Sequence, residues 1–170
     1  MKTPSLLIFD RDDTLIRNKG GHLSSPKDLE WFSGVESMLR ELSLAKFKIA
    51  IATNQSGIAK GFYGTTEVEI FHESMNMSPI VNGAIDLFVY CPHNPGGVVS
   101  EFSIECVCRK PRPGMILEIL KYFKMDPKDA MLFGDAQTDL AAGHAAGVRG
   151  NLVAPGELVS EIRKYGWSPC

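Results

Sequence analysis

Apolar residues fall into short continuous runs separated by stretches of helical periodicity. Leu6-Leu7-Ile8-Phe9 is a run stopped by an acidic cluster, which predicts a buried strand with chemistry at its C-terminal end. Residues 17–33 hold Gly20-Gly21 and Ser24-Ser25-Pro26 with little periodicity and predict a loop. Val35, Met38, Leu39 and Leu42 recur at helical spacing opposite Glu36, Arg40 and Glu41, the pattern of an amphipathic helix. A second strand is expected from Phe47 to Ala52. After a loop reaching Gly64, Thr66 and Glu69 have capping-box spacing for a helix extending towards Met77.

The second half continues the alternation. Leu87 to Tyr90 reads as a third strand, followed by a turn-rich stretch from Pro92 to Lys110. Pro113 suits the first position of a helix carrying Met115, Ile116, Ile119, Leu120 and Phe123. Ala130 to Phe133 is a fourth strand, a small-residue helix follows over 138–146, and Gly147 fits its C-terminal cap. A last strand at 151–153 and a short helix at 157–165 complete the pattern. Strand and helix in alternation predict the α/β class, a Rossmann-like doubly wound parallel sheet. Ligands of such sheets bind beyond the carboxyl ends of the strands. Asp10/Asp12, Thr53/Asn54, Cys91/His93 and Asp135 should therefore converge on one rim.

Length and composition narrow the classes. A chain of 170 residues falls within the roughly 100–200 typical of one domain, so residues 1–170 are expected to fold as a unit. With 18 basic and 20 acidic residues, bulk electrostatics argue against a nucleic-acid or membrane-surface binder. The early apolar run is too short for a span or a signal-peptide core. Cysteines clustered beside a histidine, without an export signal, point to metal ligands and a cytoplasmic address rather than to disulfides. A monomer is expected.

Asp10, Asp12 and Asp13 put three carboxylates directly after a buried strand, a repulsion that a proton or a hard divalent ion such as Mg2+ relieves. Asp135 and Asp139 supply a second acidic group after another strand. Carboxylates at such junctions also serve as turn and helix caps, and either cluster alone is ambiguous. Thr53 and Asn54 suit phosphate oxygens, and Lys110 offers a point charge to the same group. Cys91-x-His93 and Cys106-x-Cys108 form a four-ligand set for tetrahedral zinc with no open position, hence a structural site.

These residues resemble the haloacid dehalogenase superfamily of phosphohydrolases. Asp10-Arg11-Asp12-Asp13-Thr14 is similar to its first motif, Thr53 to its second, Lys110 to its third, and Gly134-Asp135 with Asp139 to its fourth. Thr53-Asn54-Gln55-Ser56-Gly57-Ile58-Ala59, Cys91-Pro92-His93 and Cys108-Arg109-Lys110-Pro111-Arg112-Pro113-Gly114-Met115 resemble the zinc-containing subgroup of heptose bisphosphate and histidinol-phosphate phosphatases, closer to the heptose branch.

The resemblance implies removal of the 7-phosphate of a heptose 1,7-bisphosphate, with histidinol phosphate or another small sugar phosphate as the alternative substrate. It assigns Asp10 as nucleophile and Asp12 as general acid and base, with Thr53 and Lys110 on the phosphoryl oxygens. It places Mg2+ on Asp10, Asp12 (through its carbonyl) and Asp135, and Zn2+ on Cys91, His93, Cys106 and Cys108. Asn18, Asn54, Gln55, Ser56 and Arg109 would join Thr53 and Lys110 at the substrate, and Asp139 would support or cap. Two positions depart from the subgroup: Asp13 stands where Gly is usual, and Ala136 where Lys or Arg is usual. An impaired member that binds without turnover is a further alternative. The spans from Asp10 to Thr53 and from Thr53 to Lys110 leave no room for a folded cap domain, only for a zinc loop over 91–110.

Overall fold

The computed structural model describes residues 4–167. Five strands form one parallel sheet: β1 (Leu6–Phe9), β2 (Lys48–Asn54), β3 (Leu87–Cys91), β4 (Ala130–Gly134) and β5 (Arg149–Leu152), in the order β3-β2-β1-β4-β5. Between them run α1 (Val35–Leu44), α2 (Thr65–Asn76), α3 (Gly114–Phe123) and α4 (Gln137–Ala145), with α5 (Leu158–Arg163) after β5. The α/β Rossmann-like expectation holds.

The period of two along each strand divides the core. Leu7, Phe9, Ile49, Ile51, Met131 and Phe133 face a cluster with Leu39 and Leu42 of α1, Phe71 and Met75 of α2, and Leu158 and Ile162 of α5. Leu6, Ile8, Ala50, Ala52, Ala130 and Leu132 face the other side, against Ile116, Ile119 and Leu120 of α3 and Ala142 of α4. Both faces of β1 are covered, so its four residues are all buried, as a central parallel strand requires.

Several boundaries moved for local physical reasons. The α2 helix starts after Gly64, whose N–H donates to Glu67 at 2.9 Å, so Glu67 rather than Glu69 closes the first turn. Pro113 is the cap of α3 rather than its first residue. Strand β5 begins at Arg149, before the expected 151, because it is an edge strand whose polar RGNL sequence carries no apolar run. Gly147 adopts a φ of 74° just past α4, the left-handed conformation expected of a terminating glycine.

Strands β2 and β3 lie on one side of β1, and β4 and β5 on the other. The chain reverses its direction of travel between β1 and β4, which are paired directly, Phe9 opposite Phe133. Such a switch point opens a crevice beyond the strand ends. Between β1 and β2 the chain holds one 3-10 turn (Pro26–Asp28) and α1, and between β2 and β3 a single helix, α2.

Leu39→Ala, at a fully buried position, is expected to cost about 2–5 kcal/mol. Leu44→Ala, on the exposed end of the same helix, should stay within about 0.5 kcal/mol. Urea unfolding measures both, and equal losses would contradict the packing described.

Candidate active site

The crevice is a cleft of about 270 Å³ at the carboxyl ends of β1, β2 and β4. Asp10, Asp12, Thr53, Asn54, Gln55, Ser56, Asn18, Lys110 and Asp135, all singled out in the sequence, line it. Arg109 is not among the lining residues. Its guanidinium donates to the carbonyl of His93 at 3.1 Å and so braces the cysteine-rich loop.

Asp10 follows β1 directly, and its N–H donates to the carbonyl of Phe133, which fixes the end of β1 against β4. Lys110 Nζ stands 2.6 Å from Asp10 Oδ1, 2.5 Å from Asp139 Oδ1, and donates to the carbonyl of Ala52 at 2.8 Å. All three charged groups are buried. Burial pushes the Asp10 carboxyl up, Lys110 opposes this, and Asp139 and Asp12 add to it. Burial also works against the Lys110 ammonium, but Asp10 and Asp139 outweigh it and raise its pKa. The lysine is held as a cation by two carboxylates.

Lys110 is pinned from outside as well. Asn54, at the end of β2, donates to its carbonyl and accepts from its N–H, both at 3.1 Å. Asp139 serves two purposes: its other oxygen accepts from the N–H of Ala136 at 3.0 Å, closing the first turn of α4. A Cβ at Gly134 would overlap that carboxyl, so the strand end admits only glycine.

Five carboxylates line the cleft (Asp10, Asp12, Asp13, Asp135 and Asp139), against the single ammonium of Lys110. His22 also lines it, but burial and Lys60 lower its pKa, so it stays neutral at pH 7. Burial, then Asp139, raises the Asp135 carboxyl. Asp13 sits at φ 58°, a conformation that Gly adopts freely and Asp tolerates, and accepts from the N–H of Asn18 at 3.0 Å. It therefore shapes the loop that carries Asn18.

Two groups can hold a metal. Asp10, Asp135 and Asp139 place oxygens within 4.8 Å of one another. Oxygens bound at about 2.1 Å around octahedral Mg2+ lie roughly 3–4 Å apart, and carboxylates are the hard donors it prefers, so the set fits. Asp139 has both oxygens engaged, one by Lys110 and one by the N–H of Ala136, which leaves Asp10 and Asp135. Asp12 turns its carboxylate away from them, towards Arg11 and Gln55.

The second group is Cys91, His93, Cys106 and Cys108. Its ligand atoms are separated by 2.9 Å (Cys91–Cys108), 3.3 Å (Cys108–Cys106 and His93–Cys108), 3.5 Å (Cys91–Cys106) and 3.7 Å (Cys91–His93). Tetrahedral bonds of about 2.0–2.3 Å require edges of roughly 3.3–3.8 Å, so the donors stand close to zinc geometry. Burial raises the Cys91 thiol, as do its neighbouring thiols, and a cation is what would reverse this. Cys170 lies outside the described residues.

Sequence reasoning missed Arg11, Tyr63 and His72. Tyr63 lines the cleft and donates to Gln55 at 2.8 Å. Arg11, fully buried, forms a two-point pair with Asp12 and contacts His72. Only the Arg beside Asp12 in the first motif was visible in advance, and arginines at strand ends are ordinarily solvated.

A strand-end aspartate facing a buried lysine, with a second aspartate after the adjoining strand, defines a phosphatase of the haloacid dehalogenase superfamily, and the comparisons agree. Residues 5–150 match the family model described as Polynucleotide kinase 3 phosphatase. D-glycero-beta-D-manno-heptose-1,7-bisphosphate 7-phosphatase of Escherichia coli (strain K12) is 37% identical, covering 86% of this chain and 77% of that protein. D-glycero-alpha-D-manno-heptose-1,7-bisphosphate 7-phosphatase of Photorhabdus laumondii is 36% identical, covering 91% and 85%. The crystal structure of D,D-heptose 1,7-bisphosphate phosphatase from B. bronchiseptica, complexed with magnesium and phosphate, superposes with a TM-score of 0.79 at 28% identity, covering 94% of this chain and 86% of that one. The chain belongs to the family of that model and to that of the heptose-1,7-bisphosphate 7-phosphatases.

Gly134→Ala should push Asp139 off Lys110, costing about 1–3 kcal/mol of stability together with most of the activity. Denaturant unfolding checks this. Unchanged stability would mean that the strand end has room to spare.

Proposed function

We propose that the chain is a Mg2+-dependent phosphomonoesterase that removes the 7-phosphate of D-glycero-D-manno-heptose 1,7-bisphosphate. The observation that carries the reading is the Asp10–Lys110–Asp139 cluster beside Asp135 at the switch point, in a chain 37% identical to enzymes named for that reaction. The relatives are named for both anomers, so the anomer is not part of the proposal.

In this reading a carboxylate oxygen of Asp10 attacks phosphorus, and the bond from phosphorus to the sugar oxygen breaks. Asp12 gives its proton to that oxygen, and the sugar leaves as the alcohol. Asp12 then takes a proton from water, which attacks the aspartyl-phosphate and releases inorganic phosphate with Asp10 regenerated. Dividing the transfer replaces one difficult step by two easier ones. Lys110 and Thr53, both buried at the cleft wall, hold the phosphoryl oxygens. Mg2+ held by Asp10, the Asp12 carbonyl and Asp135 would supply the positive charge that the carboxylates withhold. Asn18 and Ser56 face the sugar from the cleft rim, while Asn54 acts through the Lys110 backbone it grips and the buried Gln55 through Asp12 and Thr53. Arg109 acts on the substrate only through the loop it braces.

Zinc on Cys91, His93, Cys106 and Cys108 fixes the loop whose next residues deliver Lys110, a structural role with no open ligand position. The cysteines of this set are unpaired, which suits thiolate ligation in a reducing cytoplasm. Residues 1–170 act as one domain and a monomer, without nucleic-acid or membrane partners. The product, a heptose 1-phosphate, would feed nucleotide-activated heptose for bacterial surface glycans. Among the described residues no helix is long and apolar enough to cross a membrane.

Phosphate release from heptose 1,7-bisphosphate, histidinol phosphate and p-nitrophenyl phosphate, with and without Mg2+, tests the reading. The bisphosphate should give the highest kcat/KM. Preference for histidinol phosphate would overturn the substrate, and no turnover by the folded protein would indicate an impaired member.

Asp10→Asn should lower turnover by at least about a thousandfold with folding retained, as loss of a nucleophile does. Retained activity would remove Asp10 from that role. Cys106→Ser should lower zinc content well below one per chain and speed amide exchange over 91–110 more than in the sheet; unchanged zinc content would refute the site.

A further inference from the structure

The buried charges around the site are Asp10, Arg11, Lys110 and Asp139; Asp10 and Lys110 act in the mechanism above and Asp139 holds Lys110, which leaves Arg11. A guanidinium fully removed from water is costly unless its donors are satisfied. Here they are, and the partners converge on one group. Nε and Nη2 grip Asp12 at 3.1 and 3.0 Å, a forked pair that fixes the plane of the carboxylate as well as its position. Nη2 also reaches Gln55 Oε1 at 3.1 Å and the carbonyl of Leu23 at 3.3 Å. Nη1 meets His72 Nε2 at 3.2 Å, and the guanidinium lies 4.8 Å from the centre of the Phe71 ring. Burial, then Arg11, lowers the His72 pKa to about 3, so that imidazole is neutral and accepts from the arginine.

Gln55 completes the frame. Its amide donates to Asp12 Oδ2 at 3.1 Å and to Thr53 Oγ1 at 2.9 Å, while its carbonyl oxygen accepts from Tyr63 as well as from Arg11. With both donors and both lone pairs occupied, this amide has one orientation. Asp12 is thus held by Arg11 and by Gln55, with its side chain still 23% open to the cleft.

We propose that Arg11, together with the Gln55–Tyr63 brace, is a positioning element for Asp12: it sets the direction in which the carboxyl meets the leaving oxygen. The inference rests on Asp12 being the proton donor of the proposed reaction. Arg11 is fully buried and does not line the cleft. It joins the end of β1, the loop at Leu23, and Phe71 and His72 of α2 to one carboxylate, so the orientation of that group is set by the core. Lysine keeps the charge at this position but cannot reproduce the fork.

A positioned proton donor matters in proportion to how poorly the leaving group departs without it. An alkoxide of a sugar needs the proton, whereas p-nitrophenolate leaves largely unaided. The test is kcat/KM for the full chain with Mg2+ on heptose 1,7-bisphosphate and on p-nitrophenyl phosphate, for wild type, Arg11→Lys, Tyr63→Phe and Asp12→Asn. General acid catalysis contributes about 10²–10⁴-fold. Arg11→Lys should therefore lose on the order of 10²-fold on the sugar phosphate and less than about fivefold on the nitrophenyl ester. Tyr63→Phe should show the same asymmetry more weakly, and stands in for Arg11→Lys if that variant does not fold.

Equal losses on both substrates by the folded variants, or no loss on either, would overturn the proposal. Asp12→Asn separates the two levels. If it shows the asymmetry and the Arg11 and Tyr63 variants do not, the positioning role fails while the mechanism stands. If it loses equally on both substrates, the assignment of Asp12 itself fails, and the positioning role with it.

Discussion

One ammonium group, Lys110 Nζ, is held between two buried carboxylates, and the site is organised around it. The lysine touches Asp10 and Asp139, which follow β1 and begin α4, and it also meets a carbonyl of β2. Removing the lysine would leave two buried carboxylates uncompensated, a loss of about 3–5 kcal/mol. Three elements are thereby fixed to one point at the switch of the sheet. Yet two cations, Lys110 and the Arg11 paired behind Asp12, among five carboxylates leave the cleft negative, the wrong sign for a phosphate dianion. A bound divalent cation resolves that conflict, and it is the physical reason that the proposed chemistry needs a metal.

The delivery of Lys110 links the two metal-ready clusters. The lysine lies two residues beyond Cys108 on a connection with no regular structure, and such a segment ordinarily moves. Here Cys91, at the end of β3, and His93 gather Cys106 and Cys108, Arg109 ties back to His93, and Asn54 grips the Lys110 backbone on both sides. The loop is thus fastened at each end of its short run to the lysine. With only α1 and α2 as helices in the spans that can hold a cap, the rim of the cleft is built from loops that carry Asn18 and Ser56.

Much of this was legible in the sequence because local pattern and global fold agree. The apolar runs at β1 and β4 are buried on both faces, so they could hardly be anything but central strands, and the acidic residues after them had to share a rim. Edge strand β5 was legible only in part, since RGNL has no apolar signature and is defined by hydrogen bonding to β4. The double role of Asp139 was half visible: its spacing suggested a cap, but its ion pair with Lys110 depends on the fold bringing the end of the cysteine-rich loop to the start of α4. Arg11 was not legible as a buried residue. Nothing in its neighbours along the chain announces that α2 will close over it, because Phe71 and His72 arrive from another part of the sequence. Arg109, a cation whose position in a motif suggested substrate, lies outside the cleft lining and donates to the loop at the carbonyl of His93, a contact its motif did not announce.

The central claim is that the carboxylate excess admits a phosphate only with a divalent cation, and calorimetric titration of inorganic phosphate into the metal-stripped and Mg2+-loaded protein tests it most directly. The account predicts measurable phosphate binding with Mg2+, none without it, and a reciprocal tightening of Mg2+ by phosphate of equal size. Phosphate binding with the same affinity in both preparations would contradict it.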